Sequence, residues 1–223
     1  EAGRIPLMAA VNQVELQLAN AGRPRGYLPI DGLATYTNAT RELVFGRDSE
    51  LVAAGRVATT QTVGGSGALR VGAELLAHSL PHATVAISNP SWENHRAVFS
   101  AAGFKVVDYT YFDAASHGLD FDGMLADLAK LAPGTTVLLH ACCHNPTGAD
   151  LSPAQWQQVA GLLKERQLFP FIDMAYQGFD KGIAEDGVAV RIIAEAGIDS
   201  FIVANSYSKS FSLYGERVGA LSV

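Results

Sequence analysis

Cysteine is almost absent from this chain: of 223 residues only Cys142 and Cys143 are cysteine, and they are neighbours. Adjacent cysteines make an awkward disulfide framework, so stability has to come from an apolar core, and a reducing cytoplasm is the expected compartment. Basic charge is also scarce. Lysine and arginine number 16 against 22 aspartates and glutamates, for a net charge of −6, and they form neither a run nor a basic–aromatic stripe. No nucleic-acid partner is expected on that footing. Long apolar runs are missing too; the longest, such as 136–139 and 188–194 (itself broken by Arg191), fall far short of a bilayer span, so no membrane partner is expected either. The opening Glu1-Ala2-Gly3-Arg4-Ile5-Pro6 has no initiator Met and no basic, apolar leader, and the chain stops inside an apparent strand at 217–223. Both features predict an excerpt of a longer protein.

What is present is ample core material. The chain is 48% hydrophobic and 17% charged, which suits one soluble globular domain. Apolar Leu7, Val11, Val14 and Leu18 recur at helical spacing after Pro6, predicting a helix over 6–21. A Gly/Pro loop follows at 22–32, then a short helix at 37–45. From there the pattern alternates. Helices are predicted at 68–80, 92–102, 121–131, 153–166 and 188–196. Strands are predicted at 84–88, 105–111, 135–142, 169–174 and 200–206, and Ser152 with Pro153 reads as the capped start of a helix. Alternation of apolar strands with helices predicts an α/β fold, a mostly parallel sheet covered by helices on both faces. No repeat, low-complexity tract or domain boundary interrupts it.

In such sheets ligands bind beyond the carboxyl ends of the strands, and four predicted strands deliver polar groups there. Asn89 and Trp92 follow one; His144, Asn145 and Thr147 the next; Asp173 and Tyr176 another; Ser206, Ser208 and Lys209 the last. Each has a plain reading beside a functional one. Gly64-Gly65-Ser66-Gly67 entering a helix is a flexible capped loop or a phosphate site made of free N–H groups and the Ser66 hydroxyl. Asp173, closing the apolar run Phe169-Pro170-Phe171-Ile172, is a helix cap, a surface ion pair or the partner of a protonated ring nitrogen. Tyr176 and Trp92 are core aromatics or ring contacts, and Asn145-Pro146-Thr147-Gly148 is a turn or a way of aiming the Asn145 amide. His140-Ala141-Cys142-Cys143-His144 looks metal-like, but its donors are crowded and no second cluster pairs with it, so no metal is expected. His95 and His140 read as buried, hydrogen-bonded supports. Lys209, set among Ser206, Ser208, Ser210 and Ser212 with Arg217 beyond, suits a phosphorylated aldehyde: the amine condenses with the carbonyl while hydroxyls and guanidinium bind phosphate.

With these residues in place, the chain resembles the class I pyridoxal-phosphate-dependent aminotransferases, on the aspartate and aromatic (tyrosine) branch. The resemblance rests on Tyr27-Leu28-Pro29-Ile30-Asp31-Gly32, Gly64 to Arg70, Asn89-Pro90-Ser91-Trp92-Glu93-Asn94-His95, Cys142 to Gly148, Asp173 to Phe179, and Lys209 to Arg217. The Gly-Ser-Gly loop, Trp92 to His95 and Ser212 to Arg217 lean toward the aromatic enzymes. It implies fold type I, with residues 1–223 as the pyridoxal 5′-phosphate-binding large domain, and a small C-terminal domain lying outside them. It implies transamination between an L-amino acid, aromatic with aspartate as a further candidate, and 2-oxoglutarate, through an imine on Lys209 and a pyridoxamine form. Lys209 would carry the cofactor and shuttle the proton. Asp173 would pair with the pyridine nitrogen, and Tyr176 and Asn145 with the ring oxygen. Trp92 would stack on the ring; with Asn145 it would also meet substrate. Gly65, Ser66, Ser206, Ser208 and Arg217 would hold phosphate, and His95 and His140 would back Asp173. Tyr27 would reach the phosphate of a neighbouring subunit, which implies a homodimer. The arginines that grip substrate carboxylates are expected beyond Val223. Two alternatives stay open: γ-elimination or cyclisation with the same cofactor, and a cofactor-binding fragment without catalysis.

Overall fold

A computed structural model describes residues 7–80 and 83–223. In chain order its elements are α1 (Ala9–Asn20), α2 (Ala34–Phe45), α3 (Glu50–Ala53), β1 (Thr59–Val63), α4 (Gly64–Ser79), β2 (Thr84–Asn89), α5 (Glu93–Ala101) and β3 (Lys105–Thr110). There follow β4 (Phe112–Asp113), β5 (Gly118–Leu119), α6 (Phe121–Leu128), β6 (Thr136–His140), α7 (Pro153–Glu165), β7 (Phe169–Met174), α8 (Ile183–Asp186), α9 (Val188–Glu195), β8 (Ile202–Ser206) and β9 (Val218–Ser222). Among the described residues seven strands form one sheet in the order β1-β9-β8-β7-β6-β2-β3, and β4 pairs with β5 as a small separate hairpin.

The run β8-β7-β6-β2-β3 is parallel, while β9 lies antiparallel between β8 and β1. The mostly parallel sheet expected from the alternation is therefore present, with one reversed strand. That reversal matters for the site. The start of β9, just after Arg217, lies at the same edge as the ends of β8, β7 and β6, so Arg217 arrives at the carboxyl edge of the sheet.

Side chains alternate across the strands, and the two faces build two cores. Phe171, Leu138, Ile202 and Leu221 join Leu69, Leu76 and Phe99 from α4 and α5. Their strand neighbours Ile172, Leu139 and Val203 join Trp156, Leu163, Leu128 and Ile193 from α6, α7 and α9. Full burial of such a side chain contributes about 1.5–3 kcal/mol, so each face carries many such increments. Helix α4 sits close to the sheet because Gly72 has no side chain: a Cβ there would lie 2.6 Å from Phe171 Cζ. Helix α7 starts as expected. Ser152 Oγ accepts the Gln155 N–H at 3.3 Å, Gln155 Oε1 accepts the Ser152 N–H at 2.9 Å, and Pro153 takes the first turn.

Several expectations are corrected. Helix α4 begins at Gly64, not at 68, because the glycines that read as a loop form its first turn. Strand β1 was not foreseen; Thr59–Val63 is an edge strand of mixed exposure without an aliphatic run. The stripe on α1 faces outward: none of its residues is buried, and Val14 and Leu18 are exposed. Pro6, expected to open that helix, lies outside the described residues, as does the Glu1-to-Pro6 opening. No described helix is long and apolar enough to cross a membrane.

Candidate active site

The carboxyl edge of the sheet holds a cleft of about 230 Å³. Gly65 and Ser66 enter it from the first turn of α4, Trp92 from the N-terminus of α5, Asn145 from the loop after β6, and Asp173 from β7 itself. Tyr176 follows β7, and Ser206, Ser208 and Lys209 follow β8, with Arg217 arriving from just before β9. His140, expected behind the wall, is part of the lining, because it ends β6 with its ring turned into the cleft. His95 lies directly behind, fully buried. Tyr27 is not brought to the cleft; it is fully exposed in the irregular segment between α1 and α2.

At one end the wall is a wired network. The Asn145 N–H, which can only donate, meets His140 Nδ1 at 3.2 Å, so that nitrogen accepts. His140 is neutral: burial first, then His144, push its pKa down to about 3. Its proton therefore sits on Nε2 and points at Ser91 Oγ, 3.4 Å away. Ser91 in turn donates to His95 Nδ1 at 2.9 Å, and His95 Nε2–H donates to Asp173 Oδ2 at 2.8 Å. One backbone amide thus fixes the direction of every bond up to the carboxylate. Burial by itself would raise the Asp173 pKa, but the hydrogen bond from His95, with the positive Lys209 nearby, outweighs it and holds the carboxyl low. A buried carboxylate lining a cleft, with a partner on one oxygen, suits a cationic ligand atom.

The other end is rich in donors. Ser206 and Ser208 are buried, and the Ser208 N–H donates to Ser206 Oγ at 3.3 Å. Arg217 Nη1 donates to Tyr214 O at 3.0 Å, and the Gly64 N–H donates to Arg217 O at 2.8 Å. The close approach needs glycine: a Cβ on Gly65 would lie 2.8 Å from Ser206 Cβ, and one on Gly64, whose φ is 67°, the same distance from Arg217 Nη2. Arg217 itself, just before β9, is held at φ 53°, a left-handed value that is costly for a residue with a side chain. Helix N-terminus, two buried hydroxyls and a guanidinium make an anion cradle.

Between the ends lie an amine and flat surfaces. Lys209 Nζ sits 4.9 Å from the centre of the Tyr176 ring. The Tyr176 phenol is raised by burial and then by Asp173, which keeps it a proton donor. Trp92 presents its ring to the cleft and packs edge-on against His95, with centroids 5.2 Å apart. The set fits a flat, phosphorylated, carbonyl-bearing ring with a basic nitrogen: anion cradle at one end, acid at the other, amine between. Among the described residues no three His, Cys, Asp or Glu side chains gather as metal ligands. Both cysteines are free thiols, and burial followed by Cys143 pushes the Cys142 thiol far up.

Some contributors were not singled out from the sequence. Leu69, Cys142, Ala175 and Tyr214 complete the lining. Ser91 matters through bonds rather than exposure, and only its place in Asn89-to-His95 hinted at it; His144, expected among the polar groups at the strand ends, lies outside the lining and acts through Ser88 and Thr147.

Comparison with known proteins is in line with this geometry. A family model described as aminotransferase class I and II matches residues 2–223. An aspartate aminotransferase of Pseudomonas aeruginosa is 59% identical over 223 residues, covering 100% of this chain and 56% of that protein. An aromatic-amino-acid aminotransferase of Escherichia coli is 52% identical over 226 residues, covering 100% and 56%. The crystal structure of an aromatic-amino-acid aminotransferase from Burkholderia pseudomallei, covalently bound to pyridoxal phosphate, superposes with a TM-score of 0.98 at 58% identity, over 100% of this chain and 55% of that one. The chain thus spans about half the length of the curated relatives it matches.

Proposed function

Because the chain belongs to the class I and II aminotransferases, we propose that its cleft binds pyridoxal 5′-phosphate and serves transamination between an L-amino acid, aromatic and also aspartate, and 2-oxoglutarate. The observation that carries this reading is that Lys209 and Asp173, thirty-six positions apart (209 − 173), line the same cleft with Arg217 and Ser66 beside them. When bound, that cofactor supplies an aldehyde carbon to hold an amine and a ring to take up electrons released at the substrate α-carbon.

The protein's part follows from its own groups. Lys209 Nζ, the amine within the cleft, would hold the cofactor through its aldehyde carbon and, when free, would move the proton at the substrate α-carbon. Ionised Asp173, steadied by His95, would keep the ring nitrogen protonated. The Tyr176 hydroxyl and the Asn145 side-chain amide would donate to the ring oxygen and so lower the proton affinity of the Lys209 nitrogen. Trp92, whose side chain lines the cleft, would back the ring and exclude water. The helix N-terminus at Gly65 and Ser66, with Ser206, Ser208 and Arg217, would anchor phosphate. Residues 1–223 are read as the cofactor-binding large domain of a protein that works in the cytoplasm. The relatives' names, aspartate and aromatic-amino-acid aminotransferase, support the substrate class.

A homodimer accompanies this reading. Tyr27 and Ile30 are fully exposed in an irregular segment, and no residue of α1 is buried. Such a segment suits an arm laid on a second subunit, with Tyr27 reaching the partner's phosphate. The direct test is to load the purified protein with cofactor and assay tyrosine with 2-oxoglutarate. The protein should turn yellow and produce a keto acid, and Lys209→Ala should lose turnover by on the order of 10⁴-fold. Undiminished turnover by Lys209→Ala would refute the assignment.

A further inference from the structure

Asp150 lies outside the cleft lining, on the wall of a second recess with Asp180, Lys181 and Arg191. Its carboxylate nevertheless grips the turn that supplies Asn145. Oδ2 accepts the Cys143 N–H at 2.6 Å, and Oδ1 accepts the His144 N–H at 2.8 Å. Two successive amides tied to one carboxylate hold Cys143 at φ 48°, a left-handed conformation that is costly for a residue with a side chain. Asn145 follows His144 directly.

The turn is fixed from its other side by His144. Its Nε2 lies 2.9 Å from Ser88 Oγ and its Nδ1 2.8 Å from Thr147 Oγ1. Its ring is stacked between Tyr111, with centroids 3.9 Å apart, and His140, at 4.2 Å. The Gly148 N–H closes back onto His144 O at 2.7 Å, and the Tyr111 hydroxyl donates to Ala149 O at 2.6 Å. The turn therefore has little freedom, and it ends in the Asn145 N–H that orients His140.

From this arrangement we propose that Asp150 is a positioning residue: by clamping the amides of Cys143 and His144 it aims Asn145 and His140 into the cleft. The proposal rests on the cofactor reading above. A carboxylate is required because both oxygens accept; an asparagine keeps one acceptor and presents an N–H₂ to the second amide. Loss of the clamp lets Asn145 drift from the ring oxygen. Charge on that oxygen then holds the proton more firmly on the Lys209 nitrogen.

The readout is the pH midpoint of the absorbance change of the cofactor-loaded, full-length protein without substrate. Asp150→Asn should raise it by roughly half to one pH unit, the value of one hydrogen bond. Tyr176, Asp173 and Arg217, the other groups on the wall that act on that proton, are unchanged by the substitution. Asp120→Ala removes a carboxylate that accepts the Gly123 N–H at 2.9 Å in the cap of α6, and should lower thermal stability without moving the midpoint. A midpoint in Asp150→Asn equal to that of the parent overturns the proposal. Absence of any titrating band in the parent instead overturns the cofactor reading. Should Asp150→Asn not fold, amide exchange in the cofactor-free parent decides. Cys143 and His144 amides protected like the sheet interior support the clamp, and exchange at the rate of exposed loops overturns it.

Discussion

The two ends of the cleft are built differently. At the acid end Asp173 is held by His95, His95 by Ser91, Ser91 by His140, and His140 by a backbone amide. Toward the anion cradle, Lys209 makes no ion pair among the described residues, and Arg217 is exposed with one side-chain bond, to Tyr214 O. The protein has satisfied the buried charge that would otherwise be costly and left free the groups that a ligand is to engage. Function is thus divided: one end is part of the fold, the other is a receptor.

The difference is open to experiment. Asp173→Ala should cut turnover by about 10³-fold, as for loss of a preorganised electrostatic partner, and should also destabilise the cofactor-free protein by about 1–3 kcal/mol by stranding His95. Lys209→Ala, though more damaging to turnover, should change cofactor-free stability by no more than about 0.5 kcal/mol. Equal melting losses for the two would erase the distinction.

Acid should attack the wired end. His140 and His144 are pushed down to about 3 and about 4, in each case by burial first. Below the ordinary histidine pKa of about 6.5 the unfolded chain takes up two protons that the folded one refuses. Stability should therefore fall as pH drops from about 6.5 toward 4, by up to about 1.4 kcal/mol per pH unit for each histidine. Asp173, held low in the folded state, adds stability that is present above the carboxylate range and is lost only at still lower pH. Urea unfolding of the cofactor-free protein across this range should show the slope, and His144→Asn should remove one proton's worth of it.

The smallest effect belongs to the receptor end. Arg217→Lys keeps the charge but loses the planar fork, and should weaken cofactor binding about tenfold while leaving cofactor-free stability unchanged. Equilibrium titration with pyridoxal phosphate measures the first, thermal melting the second.

Much of this arrangement was legible in the residues. Apolar strands such as Phe169–Met174 announced a doubly covered sheet, and Asp173 near the end of one strand, with Asn145 and Lys209 after others, pointed to one shared edge. The reversed direction of β9 was not legible, because an apolar five-residue strand reads alike either way, and it is this reversal that brings Arg217 to the cleft. The wiring behind Asp173 was only half visible. His95 and His140 stood out as histidines, whereas Ser91 is an ordinary serine whose role depends on bonds spanning four and forty-nine positions. Strand β1 was hidden by its polar threonines. Tyr27 was singled out from family likeness alone, and within one chain it touches nothing of the cleft.

Borohydride reduction of the cofactor-loaded protein followed by peptide mapping interrogates the central claim most directly. Of the five lysines, 105, 130, 164, 181 and 209, only Lys209 lines the cleft. The account predicts a reduced phosphopyridoxyl group on Lys209 alone, and none when Lys209 is alanine. Stoichiometric labelling of any other lysine, with Lys209 left bare, would contradict it.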